Sequence, residues 1–503
     1  MPSSTTAPAA KPMAMSIEHR LSDEAVIRLP SLLKQAFKHF KNPGVISLGG
    51  GLPLPSMFSF NKISAESPAP PFAHGIAADP HTLGQDITVT NIAKYPEDLE
   101  HPMDVPLESS LQYGTAQGPD QVLKFLRDHN NLIHNIAFQD WDIVCTSGNT
   151  QGWYALLRTL CNPGDVILAE EFSFTSAIQT AQGNRLTVVP VKVDLEGIIP
   201  ETLATQLDNW VGPKPKLLYT IPTGQNPTGC TLSNERRQQI YTIAQKHDIF
   251  IVEDEPYYFL QMAKYDSDRA QRETANHNPA QSEFIKGLAN SFLTYDVDGR
   301  VIRLDSFSKV LAPGVRFGWI VAQKALVDRI IPFQEISSQL LCGFSQSLIN
   351  GLLQRWGQEG YISYLIKLRE EYTNKRDAAL DAIETHLPRE VAEWIAPDAG
   401  MFFWIKVHAA KFGMDRFNTE FNNDPRKVEE YIYMKAVDKG CLVIPGHWFA
   451  VNEQTNPPQK TIEISEDDRS ALYFRGTFAS ASAEDLDKAI KIFGDVLREE
   501  FHL

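Results

Sequence analysis

From Asp142 to Trp319 short apolar runs alternate with longer stretches of mixed polarity. DIVCTSG, DVILAEE, RLTVVPVKVD, KLLYTIP, IFIVEDEP, VIRLDSFSK and GWIVAQ are rich in Val, Ile and Leu, the pattern of strands buried on both faces. Between two of them, SNERRQQIYTIAQKHD predicts a helix with Ser233 as N-cap and Ile240, Ile243 and Ala244 on one face. Strands alternating with helices predict an α/β fold, a mainly parallel sheet flanked by helices and joined by right-handed crossovers. This large domain is expected over residues 105–344, and the polar, aperiodic stretch 261–298 reads as a surface loop inserted into it.

After about Phe344 the texture changes. YISYLIKLREEYTNKRDAALDAIETHL is a long helical pattern, followed by strand-like MFFWIKV and a return strand ALYFRGTF. The chain closes on SAEDLDKAIKIFGDVLREEF, opened by a capping pattern at Ser482 and Asp485. A smaller α+β domain over 345–503 is expected. Residues 1–15 are small, polar and proline-rich and read as a disordered tail. Residues 16–60 form an N-terminal arm that joins the small domain and includes the glycine-rich GVISLGGGLPLP. Residues 61–104 carry no sustained period and read as an irregular loop.

Composition narrows the picture. A chain of 503 residues has room for two or three domains, and 43% hydrophobic with 22% charged residues is ordinary for a soluble globular protein. The formal charge of −15 argues against a nucleic-acid surface, and no apolar run is long enough to span a membrane. The five cysteines are scattered and never spaced as CxxC, which argues for a reducing compartment and against structural zinc or a disulfide framework. The N-terminus lacks the apolar core of a secretory signal, so the cytoplasm is the expected location. The histidines form no metal-binding pattern.

Four stretches at predicted strand ends carry candidate chemistry, because open α/β sheets bind ligands there. In CTSGNTQGWYALL a strand turns through Gly148 into a helix whose first N–H groups, with Asn149 and Thr150, form an anion site; taken alone, such a stretch is more often a capped turn. TIPTGQNPTG places Asn226 in an irregular turn, as a ligand donor or a turn stabiliser. IFIVEDEPYY delivers Glu253, Asp254 and Glu255 directly after an apolar strand, either to solvent or to a cationic ligand nitrogen, with Tyr257 close behind. SFSKVLAPGVRFGW sets Lys309 among Ser306, Ser308 and Arg316, three phosphate-binding types. A lysine crowded by another cation and low polarity is suited to forming a Schiff base. Together the four describe a seat for a phosphorylated, cationic, aromatic ring with an aldehyde, which is pyridoxal 5'-phosphate.

In that order, SGNTQG, TGQNPTG, EDEPYY and SFSKVLAPGVRFGW resemble the fold-type-I, class I/II aminotransferases, from Ser16 to the C-terminus. GVISLGGGLP and LQYGTAQG are similar above all to fungal aromatic and 2-aminoadipate aminotransferases, relatives of kynurenine aminotransferase. The resemblance implies that Lys309 holds the cofactor and Asp254 pairs with its ring nitrogen. It implies that Asn226 and Tyr257 bond the ring oxygen, and that Gly148, Asn149, Thr150, Ser306, Ser308 and Arg316 grip the phosphate. Tyr113 would reach the phosphate from the second subunit of a homodimer with shared sites. Phe174 would stack on the ring, Arg475 would clamp the substrate α-carboxylate, and Gly50 would line the substrate pocket. Two positions depart from the usual pattern: Phe174 stands where relatives often carry Tyr, and Asn149-Thr150 where they often carry Ser-Gln. The implied reaction is ping-pong transfer of an amino group from an aromatic amino acid to a 2-oxo acid such as 2-oxoglutarate. 2-Aminoadipate, kynurenine and methionine are further candidate donors. The alternatives are a lyase of the same fold or a ligand-sensing regulator, and the short tail leaves no room for a DNA-binding module.

Overall fold

The computed structural model describes residues 10–31, 42–46, 48–49, 51–76, 86–274, 279–408, 414–451 and 471–503. Its strands are β1 (Lys62–Pro68), β2 (Ile87–Ala93), β3 (Trp141–Thr146), β4 (Val166–Glu170), β5 (Thr187–Val191), β6 (Val193–Asp194), β7 (Gly197–Ile198) and β8 (Leu217–Thr220). They continue with β9 (Phe250–Asp254), β10 (Val301–Ser306), β11 (Gly318–Gln323), β12 (Ala392–Trp394), β13 (Phe402–His408), β14 (Ile444–Pro445) and β15 (Ala471–Thr477).

The apolar runs become the central sheet, in the order β3-β11-β10-β9-β8-β4-β5. Strands β4 and β8 to β11 are buried at every position, as covering helices on both faces require. Only β11 runs against the rest, pairing antiparallel with both β10 and β3. Gly318 at its start therefore lies beside both Thr146 and Ser306, at the carboxyl ends of their strands. That register brings SGNTQG, SFSK and RFG to one corner. A Cβ on Gly318 would sit 2.8 Å from the Asp305 carbonyl oxygen and 2.9 Å from the Gly148 Cα, so the corner closes only around glycine.

A second sheet, β12-β13-β15-β14, is antiparallel and packs on the Pro425–Asp438 and Ala483–Phe501 helices. Ser482 caps the latter, accepting from the Asp485 N–H as its sequence pattern predicts. The Gly343–His386 helix runs between the two sheets' territories and is broken at Gly357, whose φ is 63°. Among the described residues no helix is long and apolar enough to cross a membrane.

Three expectations need correction. Within 61–104, taken for an irregular loop, β1 and β2 form a seven-residue antiparallel ladder. Its β2 face, with Thr90 and Ile92 buried, lies so close to the Gly343–His386 helix that a Cβ on Gly351 would meet both. The alternation in ITVTNIA is real, but its partner KISAESP is polar and hides it. The stretch 261–298 is not only surface loop: it holds the Gln281–Gly287 helix, and Phe284, Leu288, Phe292 and Leu293 are buried. It also caps Glu253 at the end of β9, through the Ser291 hydroxyl and the Phe292 N–H at 3.0 Å. Finally, residues 10–15 of the supposed tail lie against the body, the Ala14 N–H donating to Asp140 at 2.7 Å and the Met15 N–H to the Asp298 carbonyl at 2.8 Å. Residues 1–9 lie outside the described part.

The two sheets' territories meet backbone to backbone. Gly224 (φ 58°) faces Gly400 (φ 79°), and a Cβ on Gly400 would lie 2.7 Å from the Gly224 carbonyl oxygen. Gly400→Ala is expected to cost about 2 kcal/mol or more, from strain and overpacking together. Gly440→Ala, also at positive φ but facing open space, should cost about 1 kcal/mol. Urea unfolding of the two variants checks this, and equal losses would contradict it.

Candidate active site

Asp254 ends β9, beside Leu304 of β10 and one strand from β8. Its side chain is buried, and both oxygens are met. Asn149 Nδ2 donates to Oδ1 at 2.6 Å and the Tyr219 hydroxyl to Oδ2 at 2.6 Å. Burial pushes the carboxyl up to about 6, the two donors work against that, and the charge of Asp305 adds to it.

The turn after β8 is braced from within. Gln225 Nε2 donates to Glu170 at 3.1 Å and to the Phe172 carbonyl at 2.7 Å, while its oxygen accepts from the Thr228 N–H and hydroxyl, both at 2.8 Å. This fixes Asn226, whose side-chain oxygen accepts from Arg475 Nη1 at 2.8 Å. Tyr257 is buried and hydrogen-bonded to Asn226; burial raises its phenol despite that bond and the Arg475 charge. Arg475 stands on β15 between the rings of Phe402 and Phe449, at 4.6 and 4.5 Å. Its Nε is buried without a hydrogen-bond partner, and burial lowers its pKa. A half-buried guanidinium with an unused donor is a seat for a carboxylate.

Lys309 follows β10 and is half-buried; burial, then the charge of Arg316, lowers its pKa. The Ser306 and Ser308 hydroxyls are 2.6 Å apart, and Arg316 reaches Ser308 at 3.5 Å and the Ser147 carbonyl at 2.8 Å. Arg316 crosses directly over Gly148 (φ 89°), where a Cβ would lie 2.5 Å from its Nη2. The Asn149–Leu160 helix begins there without a side-chain cap, so its first N–H groups are open to an anion. Two hydroxyls, a guanidinium and a helix N-terminus in one corner, with a half-buried amine beside them and a buried carboxylate beyond, have the chemistry to hold a phosphorylated cationic aldehyde.

The remaining candidates fall as follows. Thr150 is exposed at the helix start, and Phe174 is half-buried just before the Thr175–Gly183 helix. Tyr113 is 56% exposed. Gly50 lies outside the described residues. One role is corrected: the Asn149 side chain, expected on the phosphate, turns inward to Asp254 and the Leu304 carbonyl. A buried carboxylate attracts the nearest donor more strongly than an open corner does. Sequence reasoning missed Tyr219, Gln225, Phe402 and Phe449. The signal for Tyr219 was a phenol inside the apolar run KLLYTIP, one strand from the acids; for Phe402 it was the aromatic run MFFWIKV.

This sheet order, with a lysine and a carboxylate at adjacent strand ends and an anion corner between them, defines a fold-type-I transferase. The chain belongs to the class I and II aminotransferases, whose family pattern it matches over residues 84–493. It is 40% identical over 500 residues to an aromatic amino acid aminotransferase of Schizosaccharomyces pombe, covering 98% of this chain and 99% of that one. The crystal structure of the aminotransferase Aro8 from Candida albicans superposes with a TM-score of 0.93 at 46% identity, covering 98% of this chain and all of the other. An L-tyrosine:2-oxoglutarate aminotransferase of Serpula lacrymans is 33% identical over 523 residues, covering 97% and 96% of the two chains.

Because the Arg316 charge disfavours a protonated neighbour, Arg316→Leu should raise the Lys309 pKa. The pH dependence of acylation of Lys309 in cofactor-free protein, followed by peptide mass, checks this. An unmoved or lowered midpoint would contradict it.

Proposed function

We propose that this enzyme transfers the amino group of an aromatic L-amino acid to a 2-oxo acid such as 2-oxoglutarate, using pyridoxal 5'-phosphate in two alternating half-reactions. The observation that carries the substrate side is Arg475: half-buried, stacked between Phe402 and Phe449, bonded to Asn226, and with a buried Nε unused. Around it Phe172, Trp404 and Tyr473 pack at centroid distances of 5.1 to 5.3 Å, an apolar surface suited to an aromatic side chain. The names of the S. pombe and S. lacrymans relatives support the same donor and acceptor. Kynurenine, 2-aminoadipate and methionine remain donors to assay beside phenylalanine and tyrosine.

Bound pyridoxal phosphate supplies an aldehyde and an electron-withdrawing ring that accepts the electron pair left when the substrate Cα–H bond breaks. Lys309 Nζ anchors the group and, with its lowered pKa, is the base that takes the Cα proton and returns it. Asp254 gives the ring nitrogen its counter-charge. Asn226 and Tyr257 bind the ring oxygen and Phe174 covers the ring face. Gly148, Thr150, Ser306, Ser308, Arg316 and the open helix N–H groups hold the phosphate. Arg475 orients the substrate through its α-carboxylate.

The working unit in this reading is a homodimer. The N-terminal arm exposes Ile46 (90%), Leu48 (96%) and Met57 (76%), which a second copy would cover, and Tyr113 is exposed to reach the other site. The five free cysteines accord with a reducing compartment such as the cytoplasm.

The absorption band of the bound cofactor should disappear on adding L-phenylalanine and return with 2-oxoglutarate; a band indifferent to every amino acid named would sink the reading. Lys309→Ala should lower turnover by more than about a thousandfold. Arg475→Ala should raise KM for the amino acid about ten- to hundredfold, the value of a charge-assisted pair. Steady-state kinetics test both, and wild-type constants in either variant would refute the role given. A fully active monomer at sedimentation equilibrium would exclude the shared site.

A further inference from the structure

Asp254 has an unusual electrostatic setting. The charges that bear on it are negative, from Asp305 on β10 and Glu170 on β4, and Tyr257 lies beside it on its own segment. Left alone, a buried carboxyl among other carboxylates takes up a proton. A protonated Asp254 offers no charge to a protonated ring nitrogen. What opposes protonation in this structure is two donors. Asn149 gives one Nδ2 hydrogen to Asp254 and the other to the Leu304 carbonyl at 3.1 Å. The Tyr219 hydroxyl is given to Asp254 alone, at 2.6 Å.

Tyr219 is built to be immobile. It is completely buried on β8, paired with Ala169 of β4 on one side and Val252 of β9 on the other. Its ring lies 4.8 Å from that of Trp153, which is itself tied by its indole N–H to the Ala177 carbonyl at 3.0 Å. The neighbouring Thr220 hydroxyl turns to the other face and meets Glu170 at 2.7 Å. Two successive hydroxyls on β8 thus serve the two carboxylates on its flanking strands. Burial and the Asp254 charge hold the phenol's pKa well above its ordinary value, so Tyr219 stays a donor throughout the working pH range.

We propose that Tyr219 is the positioning residue for Asp254, a fixed donor that keeps this carboxylate ionised and available to the ring nitrogen of pyridoxal phosphate. The inference rests on the reading of Asp254 given above and adds the residue that makes that reading physically tenable. The bland alternative is that a buried tyrosine merely satisfies its own hydroxyl. The two differ in what happens to the titration of Asp254.

The experiment measures the affinity of cofactor-free protein for pyridoxal phosphate from about pH 5 to about pH 8, a range that spans the raised carboxyl. Affinity in the wild type should fall on acidification as Asp254 gains its proton, and Asp254→Asn should lack this step. In Tyr219→Phe the midpoint should move up by about one pH unit, the worth of one hydrogen bond to a charge. The phosphate and lysine titrations are common to both proteins and cancel. A midpoint equal to the wild type's overturns the inference, as does a lower melting temperature with affinity reduced evenly at every pH, the mark of a packing role. If Tyr219→Phe does not fold, 3-fluorotyrosine at position 219 keeps the shape and strengthens the donor; its midpoint should move down, and no movement overturns the proposal. If the wild type binds no pyridoxal phosphate at any pH, the reading of Asp254 itself fails and the inference falls with it.

Discussion

Three consecutive carboxylates, Glu253, Asp254 and Glu255, are buried at the end of one strand, with relative exposures of 0%, 6% and 2%. Water would solvate each of them by several kcal/mol, and the protein must replace that solvation. Each has a different replacement because successive side chains on a strand face opposite ways. Glu253 takes the Ser291 hydroxyl and the Phe292 N–H, with Arg303 at 3.6 Å. Glu255 takes the Thr223 hydroxyl at 2.9 Å and faces Arg237 at 3.3 Å and Arg303 at 3.9 Å. Only Asp254 receives donors without a cation. The middle carboxylate thereby has hydrogen-bond donors but no cationic partner, while each of its neighbours faces an arginine.

The same demand ties distant segments together. Arg237 belongs to the Asn234–His247 helix, Arg303 to β10, and Ser291 to the stretch expected to be a surface insertion. Arg303 is itself paired with Asp305 at 2.7 Å and lies 4.4 Å from the Tyr258 ring. Beyond Arg475, the chain after β14 crosses back to the central sheet. The Phe449 carbonyl accepts from the Ser173 N–H at 2.9 Å, and the Val451 N–H donates to the Glu171 carbonyl at 2.8 Å. That crossing seats Phe449 against Arg475 and lies next to Phe174. Arg475 and Phe174 are therefore set by one short strap.

Much of this was legible in the sequence because it is written in local patterns. A strand covered on both faces has to be a continuous apolar run, so the central sheet was read from IFIVEDEP and its companions. The motifs at the strand ends singled out Lys309, Asp254, Asn226 and Arg316, which the fold brings to neighbouring strand ends. What escaped reading depends on contacts far apart in the chain. The β1–β2 ladder is half polar because only one face packs. The burial of Phe284 and Phe292 and the cap on Glu253 are contacts that no local window reveals. The inward turn of Asn149 and the role of Tyr219 follow from strand order, which places β8 beside β9 although helix and loop separate them in sequence.

The contact between Gly224 and Gly400 has a further consequence. Two backbones already at van der Waals distance resist approach steeply and resist parting hardly at all. Such a contact sets a floor to the approach of the turn after β8 and the chain before β13, made of main-chain atoms that have no rotamers to yield. The depth at which Arg475 rests on Asn226 is then bounded by main-chain atoms and not by the side chains around them.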